Sequence, residues 1–237
     1  MSDKKYTNPS TIALHTGWRK DETTNSVTVP IHMTSSYQFD STDHAANLFA
    51  LGELGNIYSR IMNPTNAVFE DRIAALEGGV AALGLASGQG ASAYAIQNLC
   101  SHGDNFVASS QLYGGTYNQF KNPFSDMGIE VRFVDPSDPQ NFADATDDKT
   151  RAYYGEVLPN PSFQVFPLQE VADIGRPLGI PLIVDNTAAP LICRPFDHGA
   201  SIIVHSATKY IGGHGTSIGG IIVDGGNFDW EAHPKRQ

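Results

Sequence analysis

From Ala81 onward the chain alternates between short apolar runs and stretches with helical spacing. The runs 105–109, Glu130–Val134, Arg151–Leu158, Pro181–Asp185, 202–206 and Ile218–Val223 read as strands bounded by loop residues. Between them 115–126 and 167–178 read as helices, and Ile96 and Leu99 suggest another behind the apolar run Ala81–Ala86. Strands that are apolar throughout are buried on both faces, and strands alternating with helices need crossover connections. The pattern therefore predicts an α/β domain built on a mostly parallel sheet.

Upstream the pattern is different. Residues 1–57 are rich in Thr, Ser, His and Asn and carry little periodicity, apart from an extended Val27–Ile31 and a short helix over Asp43–Leu51. A segment that long without its own elements is expected to lie against something. We read 1–57 as an arm packed on a neighbouring subunit and 58–237 as the domain. At its start Asn63 offers an N-cap and Pro64 a first helical residue. Phe69, Ile73 and Leu76 follow at helical spacing until Gly78-Gly79 stops the helix.

In parallel α/β sheets ligands lie beyond the carboxyl ends of the strands. Those ends carry Tyr113, then Asn160, then Asp185 with Thr187, then Ser206, Thr208 and Lys209. A lysine at a strand end among apolar residues loses hydration, which lowers its pKa and frees an amine for Schiff-base formation with a carbonyl. The hydroxyls of Ser206 and Thr208 suit a phosphate, and Asp185 suits a protonated pyridine nitrogen. Each has a plainer alternative: Lys209 as a solvated loop lysine, Asp185 as the cap of its own turn, Tyr113 as a core aromatic, Asn160 as a turn residue. Tyr58 and Arg60, two apart and extended, form either a phosphate clamp or a surface aromatic–cation pair.

Ser87-Gly88-Gln89-Gly90 feeds a helix N-terminus, which points free amides at an anion. Its G-x-G-x-x-A spelling also fits a loose dinucleotide fingerprint, but the acidic partner expected about 20 residues on is missing. A nicotinamide-binding oxidoreductase would also leave Lys209 and Asp185 without work.

Composition narrows the choice. A net charge of −10 argues against nucleic-acid or anionic-membrane partners. The two cysteines, Cys100 and Cys193, lack metal-ligand spacing and suggest buried thiols in a reducing compartment. The first residues lack an apolar signal core and no run reaches transmembrane length, so a cytoplasmic location is expected.

Phosphate donors, an acidic ring partner and a lysine, in this chain order, make a minimal pyridoxal 5'-phosphate site. Through Gly55–Asn66, Ala86–Ala91, Leu112–Tyr117, Val184–Pro190 and Val204–Gly220 the chain resembles the pyridoxal-phosphate enzymes of Cys/Met metabolism. That family has the aspartate-aminotransferase-like fold (fold type I). The resemblance implies that Lys209 is the Schiff-base lysine, Asp185 the pyridinium partner and Tyr113 the catalytic tyrosine stacked on the ring. It implies backbone phosphate donors at Gly88 and Gln89, and hydroxyl donors at Ser206 and Thr208. Thr187 belongs to the same cofactor-binding set, and Asn160 matches a residue near the ring hydroxyl and the substrate. Tyr58 and Arg60 match a pair that reaches the cofactor phosphate of the adjacent subunit, which implies a homo-oligomer, typically a tetramer.

The stretches His214–Gly220 and Leu48–Asn56 are similar to the sulfhydrylase branch of that family. The implied reaction is γ-replacement of acetate on O-acetyl-L-homoserine by sulfide, with cystathionine γ-synthesis, γ-elimination and a non-catalytic fragment as alternatives. Family members are longer. The resemblance implies that a small C-terminal domain, with its substrate-carboxylate arginine, is absent from a chain that ends at Lys235-Arg236-Gln237.

Overall fold

The computed structural model describes residues 6–231; Met1–Lys5 and the closing residues, Lys235-Arg236-Gln237 among them, lie outside the described residues. Contacts divide the chain into two compact units, Met1–Ala75 and Leu76–Gln237. The division falls inside a helix, so the first unit takes in the 1–57 segment and most of the helix after it.

Among the described residues of the first unit three helices are present: α1 (Pro9–His15), α2 (Thr42–Phe49) and α3 (Pro64–Glu77), the last continuing into the second unit. The expected cap of α3 is in place, with the Thr65 N–H donating to Asn63 Oδ1 at 2.9 Å. The Asn63 amide also donates to the His32 carbonyl at 2.9 Å, and Thr65 Oγ1 donates to the Pro30 carbonyl at 2.8 Å. One capped turn thus holds down the extended 30–34 stretch. Helix α1 departs from the expectation of an aperiodic arm. Asn8 caps it through Ser10 N–H, and Pro9 opens it. Only Ile12 is buried there, too few apolar positions to register as a period.

The second unit is a seven-stranded sheet. Its strands are β1 (Ala81–Leu85), β2 (Asn105–Ser109), β3 (Glu130–Val134), β4 (Thr150–Glu156), β5 (Leu182–Asp185), β6 (Ile202–Ser206) and β7 (Gly220–Asp224). They lie in the order β1-β7-β6-β5-β4-β2-β3. Only β7 runs against its neighbours. The remaining pairings are parallel, as expected for strands such as β2 and β6 whose residues are almost all buried. This is the fold type I arrangement the sequence pointed to.

Helix α4 (Gly88–Leu99) covers one face, with Ala91, Ala95, Ile96 and Leu99 against Phe106, Ile183 and Val204. On the other face α7 (Leu168–Gly175) buries Leu168, Val171 and Ala172 against Tyr153, Leu182 and Val184. A further short helix, α6 (Gln140–Asp144), follows β3. The helix expected over 115–126 is instead α5 (Gly114–Gln119) followed by a wider π turn over Phe120–Phe124. Pro123 explains the break: it lacks an N–H and its ring collides with the carbonyl one turn back, so the helix opens there. The opened turn faces Phe120 and Phe124 inward. Phe120 meets Phe106 and Tyr154 edge-to-face, with ring centroids 4.9 and 4.8 Å away.

Phe120 is fully buried at the centre of that cluster. We expect Phe120→Ala to destabilise the chain by about 3–5 kcal/mol, the usual cost of a large-to-small change in a close-packed core. Urea unfolding monitored by circular dichroism reads it, and a loss below about 1 kcal/mol would show that the neighbours collapse into the gap.

Candidate cofactor site at the carboxyl edge of the sheet

Strands β4, β5 and β6 end on Glu156, Asp185 and Ser206, and parallel pairing brings all three ends to one edge. Glu156 and Asp185 are register partners, so two carboxyls stand side by side. The Thr187 N–H donates to Asp185 Oδ1 at 2.9 Å, and the Ser206 N–H donates to Thr187 Oγ1 at 2.7 Å. Asp185 is therefore tied through Thr187 to the segment that carries the lysine.

That segment is a tight turn. The Lys209 N–H donates to the Ser206 carbonyl at 3.2 Å, Gly213 N–H to the Lys209 carbonyl at 2.8 Å, and Gly212 N–H to the Ala207 carbonyl at 2.8 Å. A Cβ at Gly212 would stand 2.8 Å from that Ala207 oxygen, which is why a glycine is needed here. Thr208 Oγ1 accepts the Gly219 N–H at 3.2 Å and closes the loop. Lys209 itself is exposed, not held among apolar residues as its strand-end position suggested. The strand Ile202–Ser206 is buried, but the turn carries the lysine out past its end.

Helix α4 begins against this turn. Ser87 caps it through Gly90 N–H at 3.0 Å, leaving the first-turn amides of Gly88 and Gln89 without helical carbonyls to bond. A Cβ on Gly88 would lie 2.5 Å from Ser206 Cβ, so only glycine lets the two segments close up. The Gln89 side-chain amide donates to Thr116 Oγ1 at 3.1 Å, joining α4 to α5. Tyr113, at the head of α5, is half-exposed and its N–H donates to Glu156 Oε1 at 2.8 Å. Asn160 lies beyond β4, exposed, with a cis bond to Pro161, and its main-chain N–H acts on the nearby Glu156 carboxyl.

The two carboxyls are electrostatically unequal. Burial pushes Glu156 up to about 8, with the charge of Asp185 adding to the effect. Asp185 is raised too, first by burial, but the hydrogen bonds from Thr187 and the nearby His205 oppose the rise. Burial thus pushes both carboxyls towards their protonated forms, Asp185 against the pull of its Thr187 hydrogen bonds.

Tyr58 and Arg60 belong to the first unit. The Arg60 guanidinium lies 4.9 Å from the centre of the Tyr58 ring, beside an open cavity of about 650 Å³ that His32, Thr34 and Ser59 also line. The aromatic–cation pair is thus present in this chain, and both of its residues line that cavity.

Residues 10–237 match the family described as Cys/Met metabolism PLP-dependent enzymes. The chain belongs to that family. Over 223 residues it is 56% identical to the O-acetyl-L-homoserine sulfhydrylase of Leptospira meyeri, covering 94% of this chain and 50% of the relative. It is 49% identical to the homocysteine/cysteine synthase of Saccharomyces cerevisiae over 230 residues, 95% of this chain and 52% of that one. The chain thus spans about half the length of the curated relatives it matches. A solved structure from Campylobacter jejuni, titled as an O-acetylhomoserine (thiol)-lyase with N'-pyridoxyl-lysine-5'-monophosphate, superposes with a TM-score of 0.91 at 39% identity. That match covers 94% of this chain and 55% of the Campylobacter one.

The edge fits the family's cofactor. Close approach of Gly88 to Ser206, open amides on α4, a buried carboxyl at Asp185 and a projecting amine at Lys209 are the donor set that a phosphorylated pyridine aldehyde needs. The dinucleotide alternative fails on topology. The strand that follows α4 is β2, and four strands separate it from β1, whereas a dinucleotide fold continues from its glycine turn to a nearby strand.

Two groups were not singled out from the sequence. Glu156 lies inside the apolar run Arg151–Leu158, and only the structure shows that β4 ends on it. The second is a buried network in which Glu77 Oε1 bonds His205 Nε2 at 2.8 Å and takes the Asn186 amide at 3.2 Å. Nothing in the sequence connects residues that distant.

The Glu156 carboxyl has an ordinary pKa of 4.5 once the chain unfolds, and in the fold it holds its proton to about 8. Its contribution to stability is therefore complete below pH 4.5 and is lost as pH rises towards 8. We expect the chain to lose stability across that window, by at most ~1.4 kcal/mol per pH unit, and to level off above it. Glu156→Gln should make this slope shallower. Urea titrations at a series of pH values check it, and an unchanged slope in the variant would mean the proton is held elsewhere.

Proposed function

We propose that this chain is the cofactor-binding portion of an O-acetyl-L-homoserine sulfhydrylase, which replaces acetate at the γ-carbon with sulfide and yields L-homocysteine. The observation that carries this reading is the closed run of contacts from Tyr113 through Glu156, Asp185 and Thr187 to Ser206, and from Ser206 to Gly88. The choice of reaction within the family is supported by the likeness to the Leptospira and yeast enzymes.

When bound, pyridoxal 5'-phosphate supplies an electron sink. In this reading Lys209 Nζ would hold the cofactor and carry protons to and from the substrate. Asp185 would serve the ring nitrogen, with Thr187 orienting its carboxyl. Tyr113 would hold the ring and share the catalytic proton work, and Asn160 would bind near the ring hydroxyl. Gly88 and Gln89 amides, with Ser206 and Thr208 hydroxyls, hold the phosphate. Tyr58 and Arg60 serve the phosphate of a neighbouring protomer. That division of labour accounts for a cation pair lining an open cavity in the first unit, and it implies a homo-oligomer, a tetramer built from active dimers. The 1–57 arm would pack on that neighbour. We place the protein in homocysteine and methionine biosynthesis in the cytoplasm. No helix among the described residues is long and apolar enough to cross a membrane.

Two measurements test the reading. With O-acetyl-L-homoserine, sulfide and cysteine offered together, homocysteine is the expected main product by mass spectrometry. Cystathionine as the main product would move the chain to the cystathionine-forming branch. Borohydride reduction after loading should fix a pyridoxyl mass on the peptide that contains Lys209, and Lys209→Ala should abolish it. Retention of that mass in the variant would assign the link to another lysine.

The neighbour-serving role of Arg60 has its own expectation. A charge-assisted hydrogen bond contributes roughly 1.5–3 kcal/mol, so Arg60→Ala should weaken cofactor affinity by about one to two powers of ten. Fluorescence titration with pyridoxal 5'-phosphate measures it. An unaltered affinity in an oligomer would return the Tyr58–Arg60 pair to a surface role.

A further inference from the structure

Glu156 is a buried acid at the carboxyl edge to which the reading above, on which the following inference rests, gives no task towards the cofactor. It is the last residue of β4, its side chain is almost wholly enclosed, and it stands in register with Asp185. Its Oε1 accepts the Tyr113 N–H at 2.8 Å, and the Asn160 main-chain N–H lies near enough to act on the carboxyl. Tyr113 begins the loop between β2 and α5, and Asn160 sits in the loop between β4 and α7. A single side chain therefore fastens two loops that are separate in sequence, each bearing a residue assigned to the cofactor.

We propose that Glu156 is a positioning residue of the cofactor site, pinning the Tyr113 and Asn160 main chains to the sheet edge beside Asp185.

A pin of this kind is more than a packing contact. Gln111 also links the two loops through Gln164 and Ser162, but Tyr113 itself is half-exposed with no capping side chain, and its main-chain tie to the sheet edge is the one to Glu156. The acid also has to coexist with Asp185. Burial and that neighbouring charge raise Glu156 to about 8, and its Oε1 accepts the Tyr113 N–H in the neutral form. The titratable neighbours of the pair are Tyr154 on β4, whose buried phenol is bonded to Ser92 at 2.9 Å, and His205 on β6, engaged with Glu77. Neither bonds the Glu156 carboxyl. A neutral acceptor of the same shape should therefore replace Glu156, and a truncated side chain should not.

The test compares Glu156→Gln and Glu156→Ala in the full chain loaded with pyridoxal 5'-phosphate. Three readouts are taken: cofactor affinity by fluorescence titration, the visible circular dichroism of bound cofactor at saturation, and the unfolding midpoint without cofactor. The visible dichroism reports how asymmetrically the ring is held, which a purely structural strap would leave alone once the protein is folded. Glu156→Gln is expected to bind within about threefold of wild type with an unchanged dichroic band. Glu156→Ala is expected to bind about tenfold more weakly, equivalent to ~1.4 kcal/mol, with a diminished band per bound cofactor. If the alanine variant is recovered unfolded, Glu156→Asp, which keeps the acid but shortens its reach by one methylene, carries the same comparison and the same expectation. A folded Ala or Asp variant with wild-type affinity and band would overturn the proposal. So would a Gln variant as impaired as Ala, because that would assign the effect to charge and not to the pin. Failure of the wild-type chain to bind the cofactor would overturn the preceding reading and this inference with it, an outcome visible before any variant is compared.

Discussion

Parallel pairing of β4, β5 and β6 in register is the constraint from which the rest of this chain's chemistry follows. It sets Glu156, Asp185 and Ser206, the last residues of three buried strands, along one edge. Two carboxyls forced together where water is scarce cannot both ionise cheaply. Thr187 donates its N–H to Asp185 and ties that carboxyl, through its own hydroxyl, to the segment that leads into the turn bearing Lys209. Glu156, its pKa raised by burial and by the charge of Asp185, takes the Tyr113 N–H on the other side.

Close packing around this edge is what lets it hold such a geometry. On one face α4 meets the sheet through small residues and the edge-to-face cluster of Phe106, Phe120, Phe124 and Tyr154. The widened turn at Pro123 is what puts both Phe120 and Phe124 into that cluster. Side chains alternate across a strand, so His205, adjacent to the buried Val204 that pairs with Asp185, projects to the opposite face. There it joins Glu77 and Asn186 in a buried polar knot.

Much of this was legible in the residues. The apolar runs placed β2 to β6 within a residue or two, because a strand buried on both faces leaves an uninterrupted apolar signature. Asn63-Pro64 announced α3 by chemistry alone. Asn8-Pro9 carries the same signature at α1 and was passed over, since a seven-residue helix with one buried side chain has no measurable period. The helix expected over 115–126 ignored Pro123, a strictly local cue that the strong run of aromatics outweighed.

The sequence by itself determined the fold class, the family and the residues at the carboxyl ends, since each depends on local pattern or on motifs contiguous in the chain. It could not determine that burial raises both the Glu156 and Asp185 carboxyls, that Lys209 stands exposed beyond its buried strand, or that Glu156 spans two loops. Those facts depend on strand register and on the distance between segments far apart in sequence. Coulomb attraction, desolvation and hydrogen bonding act through space, and only the tertiary structure brings the groups within their range.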